Sequence, residues 1–251
     1  MTTLAQLTAT ANAVLGPERF QDYCPNGLQV EGRDSVRLLV SGVTASMALI
    51  EAAHALGADA ILVHHGYFWK NEAPSIVGMK RRRLQFLLRN DISLLAYHLP
   101  LDAHPQLGNN AQLAQKLGLT ITGGIQAVAH PIGNVGELRQ PMSAQAFAED
   151  VGLRLDRRAQ LISGGSHLIK TIAWCTGAAQ SYIEEAAALG VDAFLSGEIS
   201  EPTVHIAREL GIHYIAAGHH ATERYGVQAL GEYLAAQLNI SHRFIDIDNP
   251  A

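Results

Sequence analysis

The chain has 251 residues, is 48% hydrophobic and carries a formal net charge of -5. That suffices for one large α/β domain or two smaller lobes folded without staples. The acidic balance argues against a dedicated nucleic-acid surface, which would need clustered Lys and Arg. Only Cys24 and Cys175 are present, in no CxxC spacing, so neither a disulfide framework nor a thiolate zinc site is indicated.

The opening "MTTLAQLTATANAVLGPERF" reads as an amphipathic helix, because it lacks a basic region followed by a continuous apolar core. No segment has the roughly eighteen apolar residues of a membrane span, so a cytoplasmic location is expected. "PNGLQV" at 25 to 30 reads as a tight turn before a strand. From residue 37 strands and helices alternate: "RLLVSGV", "SMALIEAAHALG", "DAILV", "VGMKRRRLQFLLRN", "ISLLAYH" and "NNAQLAQKLG". The basic run at 80 to 83 lies in a helical stretch and reads as its solvated face. "SAQAFAEDVG" is expected to be a further helix. The alternation then resumes through "KTIAWCTG", "AQSYIEEAAALG", "DAFLSG", "EPTVHIAREL", "IHYIAAG", a long helix "ATERYGVQALGEYLAAQL" and a closing strand "HRFIDI".

Alternation of this kind marks βαβ units. "SMALIEAAHALGADAILVHHG" and "AQSYIEEAAALGVDAFLSGE" share the order helix, ALG, one variable residue, Asp-Ala and apolar strand, which indicates a duplication. The expected fold class is therefore α/β, with two related βαβ-type lobes and mixed, mainly parallel sheets. The Gly- and Pro-rich stretch "GGIQAVAHPIGNVGELRQPMS" places the boundary near residue 125, giving lobes 1–125 and 126–251.

Open α/β sheets bind ligands beyond the carboxyl ends of their strands. There the sequence places His64 and His65, then His98 and Asp102, then His219, His220 and Glu223. Neighbouring side chains on a regular strand face opposite ways, so His64 and His65 can serve one site only where the strand ends, which Gly66 suggests. His219 and Glu223, four apart, share one face if both are helical. Imidazole and carboxylate donors suit Zn, Mn, Fe, Co or Ni. His54, His130, His167, His205, His213 and His242 read as surface or core residues, while His104 and His220 stay open. "CTGAAQ" is a weak anion-binding signal with no Walker sequence.

Together "PNGLQVEG", "VHHG", "YHLPLDAHPQLGNNAQLA", "SGE" and "GHHATERYG" resemble, in order, the GTP cyclohydrolase I type 2 or Nif-three-like family, and in particular its short bacterial YbgI-like members. The resemblance implies a dinuclear metal site in the cleft between the lobes and a toroidal homohexamer. Its ligands would be His64, His65, Asp102, His219 and Glu223, holding two divalent ions. Many relatives have Tyr at the place of His220, so the first histidine of that pair is taken as the ligand. "CTGAAQ" departs from the Gly-rich pattern of relatives.

The expected activity is dinuclear metal-dependent hydrolysis, with metal-bound water attacking a purine ring, as in GTP or a related nucleotide, or a cyclic amide carbon. His98 and Glu198 are the candidate proton carriers. The alternative is a non-catalytic metal-binding or regulatory protein.

Overall fold

The computed structural model describes residues 2–251. The elements of the first half are β1 (Thr2–Thr3), α1 (Leu4–Leu15), β2 (Gly27–Val30), β3 (Ser35–Val36), β4 (Leu38–Thr44), α2 (Met47–Ala55), β5 (Ala60–His65), α3 (Gly78–Arg89), β6 (Ser93–Ala96), α4 (Leu99–Asp102) and α5 (Asn109–Leu117). There follow β7 (Leu119–Gly124), β8 (Asn134–Ser143), α6 (Ala144–Leu155), β9 (Gln160–Ile162), β10 (Leu168–Cys175), α7 (Ile183–Ala188), β11 (Ala193–Ser196), α8 (Glu201–Leu210), β12 (His213–Ala216), α9 (His219–Leu238) and β13 (Ser241–Phe244). Three helices start where a hydroxyl takes an orphan amide. Thr3 and Gln6 form a capping box on α1, while Ser46 and Ser143 accept from Leu49 and Ala146 at the starts of α2 and α6.

The contacts divide the chain into two units, Met1–Leu101 with Gly226–Asp248 and Asp102–Tyr225 with Asn249–Ala251. The Gly- and Pro-rich stretch expected to separate the lobes is instead a hairpin connection. β7 and β8 pair antiparallel, and both lie in the second unit, so position 125/126 falls in a hairpin loop. Glycine and proline mark a turn inside a sheet as readily as a linker, and only pairing distinguishes the two.

The sheet of the first unit has the order β13-β4-β5-β6-β2. Its first four strands run parallel, and β2 closes the edge antiparallel to β6. The sheet of the second has the order β7-β8-β10-β11-β12-β9, with β10, β11 and β12 parallel and antiparallel strands on both sides. The fold is thus α/β, with parallel centres and mixed edges. The central strands are largely apolar and mostly buried because both faces are covered. In the second unit Ile172, Trp174, Ala193, Leu195 and Ile215 point into one core, and the alternate residues Ala173, Cys175, Phe194 and Tyr214 into another. In the first, Val40, Ile61, Val63 and Leu94 share a core, while their neighbours Leu39, Leu62 and Leu95 are buried too. Each such Leu, Ile or Phe contributes about 1.5–3 kcal/mol by its burial.

The repeated sequence unit has a repeated structural job. Gly57 and Gly190, the glycines of the two ALG segments, adopt φ of 76° and 72°, a left-handed turn that costs glycine nothing and ends α2 and α7. The aspartate that follows then ties down the adjacent strand. Asp59 Oδ2 accepts from the Arg37 and Leu38 amides at 2.8 and 3.1 Å, and Asp192 Oδ2 from the Lys170 and Thr171 amides at 2.9 and 2.7 Å. The main chain of each aspartate bridges the same three strands, donating to Leu38 or Thr171 and accepting from Ser93 or His213.

Candidate metal centre

In the first unit three imidazoles gather beyond the ends of β5 and β6. The His64 and His65 rings are 4.6 Å apart and the His64 and His98 rings 5.0 Å, and one nitrogen from each of the three lies within 4.8 Å of the others. The strand ends at His65 because Gly66 admits a side chain from elsewhere: a Cβ there would collide with Gln29 Oε1. Gln29 grips the following residue at both polar atoms. Its Oε1 accepts from the Tyr67 amide at 2.7 Å and its Nε2 donates to the Tyr67 carbonyl at 3.1 Å. The backbone therefore turns, and two consecutive histidines face one place.

Each ring is oriented through Nδ1. His64 Nδ1 donates to the Tyr97 carbonyl at 2.9 Å, and His65 Nδ1 pairs with Thr44 Oγ1 at 3.2 Å. His98 Nδ1 donates to Asp22 Oδ1 at 2.7 Å. Burial works to raise the Asp22 carboxyl, but the hydrogen bond and charge of His98, with Asn26 and the Tyr23 amide, hold it below its ordinary range. Cys24, beside this pair, is pushed up to about 12 by burial and by Asp22, so its thiol stays neutral. Trp69 packs edge-on against His98, ring centres 5.0 Å apart.

In the second unit Asp102, His219 and Glu223 gather around the end of β10. Asp102 Oδ1 accepts from Asn109 Nδ2 at 2.8 Å and from Thr176 Oγ1 at 3.4 Å. The next residue, Gly177, has φ of 68°, and a Cβ there would collide with Glu223 Oε1 and stand 3.2 Å from His219 Nε2. Glycine keeps that cradle open. His219 and Glu223 lie one turn apart at the start of α9, with Nε2 3.1 Å from Glu223 Oε2, as their spacing predicts. On its other side His219 Nδ1 donates to Glu198 Oε1 at 2.6 Å. Burial opposes charge on this ring, yet Glu223 and then Glu198 outweigh it and push its pKa up to about 9. An imidazole between two carboxylates is a position built for positive charge, and the donor set fits a divalent cation. Burial, Asp102 and Glu223 keep the fully buried Cys175 thiol well above its usual range.

Glu198 thus orients His219, and His98 joins the histidine pair. No sequence signal marks Asp22, Thr44, Asn109 or Gln29, and "PNGLQV" holds two side chains that fix the tips of β5 and β6 in addition to its turn. The bland reading fits other histidines. His213 accepts from the Gly164 amide at Nδ1 and donates to the His167 carbonyl at Nε2, while His242 pairs with Ser41. His104 Nδ1 accepts from the Gln106 and Leu107 amides, and burial lowers its pKa. His220 is buried on α9, and its amide donates to the Ala251 carbonyl.

Duplicated α/β units with imidazoles and carboxylates at their strand ends define a candidate metal-binding protein of the α/β class. The profile of Duf34/NIF3 (NGG1p interacting factor 3) matches residues 2–250, and the chain belongs to that family. It is 59% identical to a Pseudomonas aeruginosa protein named GTP cyclohydrolase 1 type 2 homolog, covering 99% of this chain and 98% of the relative. It is 52% identical to the Escherichia coli protein of the same name, covering 98% of each. Among solved structures, protein ybgI, described as of unknown function, superposes with a TM-score of 0.96 at 52% identity, covering 99% of this chain and 100% of that one. TTHA1606 from Thermus thermophilus does so with a TM-score of 0.89 at 33% identity, again covering 99% and 100%. Among the described residues no helix is long and apolar enough to cross a membrane.

Proposed function

We propose that the protein is a dinuclear metal-dependent hydrolase acting on a ring carbon of a purine nucleotide such as GTP or of another cyclic amide. The observation that carries this reading is the anchoring of four of the five candidate ligands by an outer partner: Tyr97 on His64, Thr44 on His65, Glu198 on His219 and Asn109 on Asp102. Such outer partners fix tautomer and aim, and structural histidines do not need them on every ring. His64 and His65 supply two imidazole nitrogens, fewer than the four positions that a cation such as Zn takes. Asp102, His219 and Glu223, the further ligands that the family resemblance implies, would supply more donors and the negative charge that two divalent ions need. Two divalent ions, of Zn, Fe, Mn, Co or Ni, would lower the pKa of a water and polarise the bond under attack.

The chain's own residues do the rest. Five protein ligands shared by two cations leave positions for substrate, which favours catalysis over a closed structural site. His98 carries a proton between the reacting group and solvent, and Glu198 holds His219 in the tautomer that keeps Nε2 for coordination. The relatives named GTP cyclohydrolase 1 type 2 homolog support the choice of substrate class, and the family resemblance implies a toroidal hexamer.

The test couples metal analysis of the purified protein to a screen of purine nucleotides and cyclic amides, with Asp102→Ala as control. The expected result is two divalent ions per chain, a ring-opened product, and loss of both in the variant. Two firmly held ions with no turnover of any ring substrate would overturn hydrolysis in favour of a non-catalytic metal-binding role.

A further inference from the structure

A second polar network in the first unit lies behind the imidazoles. Asp22 is 3% exposed at its side chain and His98 16%. The Asp22 carboxylate spends both oxygens on the His98 segment: Oδ1 accepts from the imidazole Nδ1 at 2.7 Å, and Oδ2 from the Leu99 amide at 2.9 Å. Asn26 completes the grip. Its Oδ1 accepts from the His98 amide at 2.7 Å, and its Nδ2 donates to Asp22 Oδ2 at 2.8 Å. Side chain and backbone of one histidine are thus held by two residues more than seventy positions earlier in the chain.

We propose that Asp22, braced by Asn26, is the positioning residue of His98: it fixes the imidazole as the Nδ1–H tautomer and aims Nε2 at the His64 and His65 rings. A carboxylate only accepts, so Nδ1 must carry the proton and Nε2 is the lone-pair nitrogen. The ring is further confined by Trp69, which packs T-shaped against it, while Asn26 holds the His98 backbone amide. If the hydrolase reading holds, this delivers a proton acceptor to the reacting group; the positioning itself does not depend on that reading.

A rival use of the same residues is a separate cation site, since Asp22, Cys24 and His98 also offer atoms within 4.8 Å of one another. Against it, both Asp22 oxygens are already engaged with amide and imidazole donors, and the Cys24 thiol is held neutral.

The decisive measurement is the 15N NMR signature of the His98 ring in the metal-free full chain, at a pH where the ring is neutral. The parent should show a protonated Nδ1 and an unprotonated Nε2. Asp22→Asn keeps one acceptor for the Leu99 amide but turns an amide donor toward the ring, so the proton should move to Nε2. Cys24→Ala should leave both the tautomer and the metal count of the holoprotein unchanged. A parent ring protonated at Nε2, or an Asp22→Asn ring that keeps the parent tautomer, would overturn the proposal. So would loss of an ion in Cys24→Ala, which would make the group a cation site. The parent spectrum decides even if Asp22→Asn fails to fold, and none of these readouts requires turnover.

Discussion

The two units carry the same four-strand core and different chemistry at its tips. β4, β5, β6 and β2 are matched by β10, β11, β12 and β9, parallel for three strands and antiparallel for the fourth. Counted from the shared Asp-Ala, His64 and His65 correspond to Gly197 and Glu198, and Thr44 to Gly177. One unit therefore presents imidazoles; the other presents carboxylates, with a single imidazole held between two of them. The aspartate at the amino end of the second strand is common to both, and the residues at its carboxyl end are not. What holds the sheet and what holds the ligand are written at opposite ends of the same strands.

The largest expected effect lies at the strand tips. On the dinuclear reading proposed above, Glu223→Gln keeps shape but removes a full negative charge from the ligand set of both ions, so both occupancies should fall together. The affinity loss should exceed the roughly 10–100-fold that outer partners cost. His65→Ala should release one ion. Native mass spectrometry after dialysis counts them, and two tightly held ions in Glu223→Gln would break the division of labour.

At the other strand ends the expected effect falls on stability alone. Asp59 is 1% exposed, and its loss orphans the Arg37 and Leu38 amides. Asp59→Ala should cost about 3 kcal/mol, from two part-buried donors left without their acceptor at about 1–3 kcal/mol each, with the metal count per folded chain unchanged. Denaturant unfolding gives the first quantity, and a fall in metal count among folded chains would show that the two ends are coupled.

The smallest effect is a pH slope. Burial works to raise the Asp192 carboxyl, but the Thr171 and Lys170 amides, the Thr171 hydroxyl and His167 hold it below its usual value of 3.8. A folded-state pKa below that of the unfolded chain, about 3.9, stabilises the fold at higher pH. That stability is lost as pH falls through the folded value. Asp192→Asn should therefore be less stable than the parent at pH 6, and the gap should narrow below about pH 4. A constant gap between about pH 6 and about pH 3 would remove the carboxylate charge from the account.

These contrasts also explain what the sequence made legible. The βα alternation and the ALG-x-Asp-Ala repeat locate both parallel centres, because period and punctuation are local properties. The helix over Ala144–Leu155 and the closing strand Ser241–Phe244 fall where the pattern predicts them. The hairpin β7–β8 was not legible, since antiparallel pairing across a Gly- and Pro-rich loop looks like a linker until the partner strand is known. At the site, strand-end histidines stand out because two neighbouring imidazoles before a glycine are unusual. Asp22, Asn26 and Gln29 do not stand out, because their partners His98 and Tyr67 lie far away in sequence and only the folded chain joins them.

The β7–β8 hairpin bears on how the chain can lengthen. Its connection, residues 125–133, is exposed from 127 to 130 and joins two strands at the outer edge of the sheet, β7 being the edge strand itself. Strand pairing on either side holds the ends of that loop together, so extra chain spliced there starts and finishes at one spot and leaves the parallel strands in register. The closure entropy of a longer loop grows only about 0.6 kcal/mol per doubling. Such a position is a natural port for a guest domain or an engineered reporter, whereas the tips of β5, β6 and β10, crowded by Gln29, Asn26 and Glu223, admit not even a methyl group at Gly66 or Gly177.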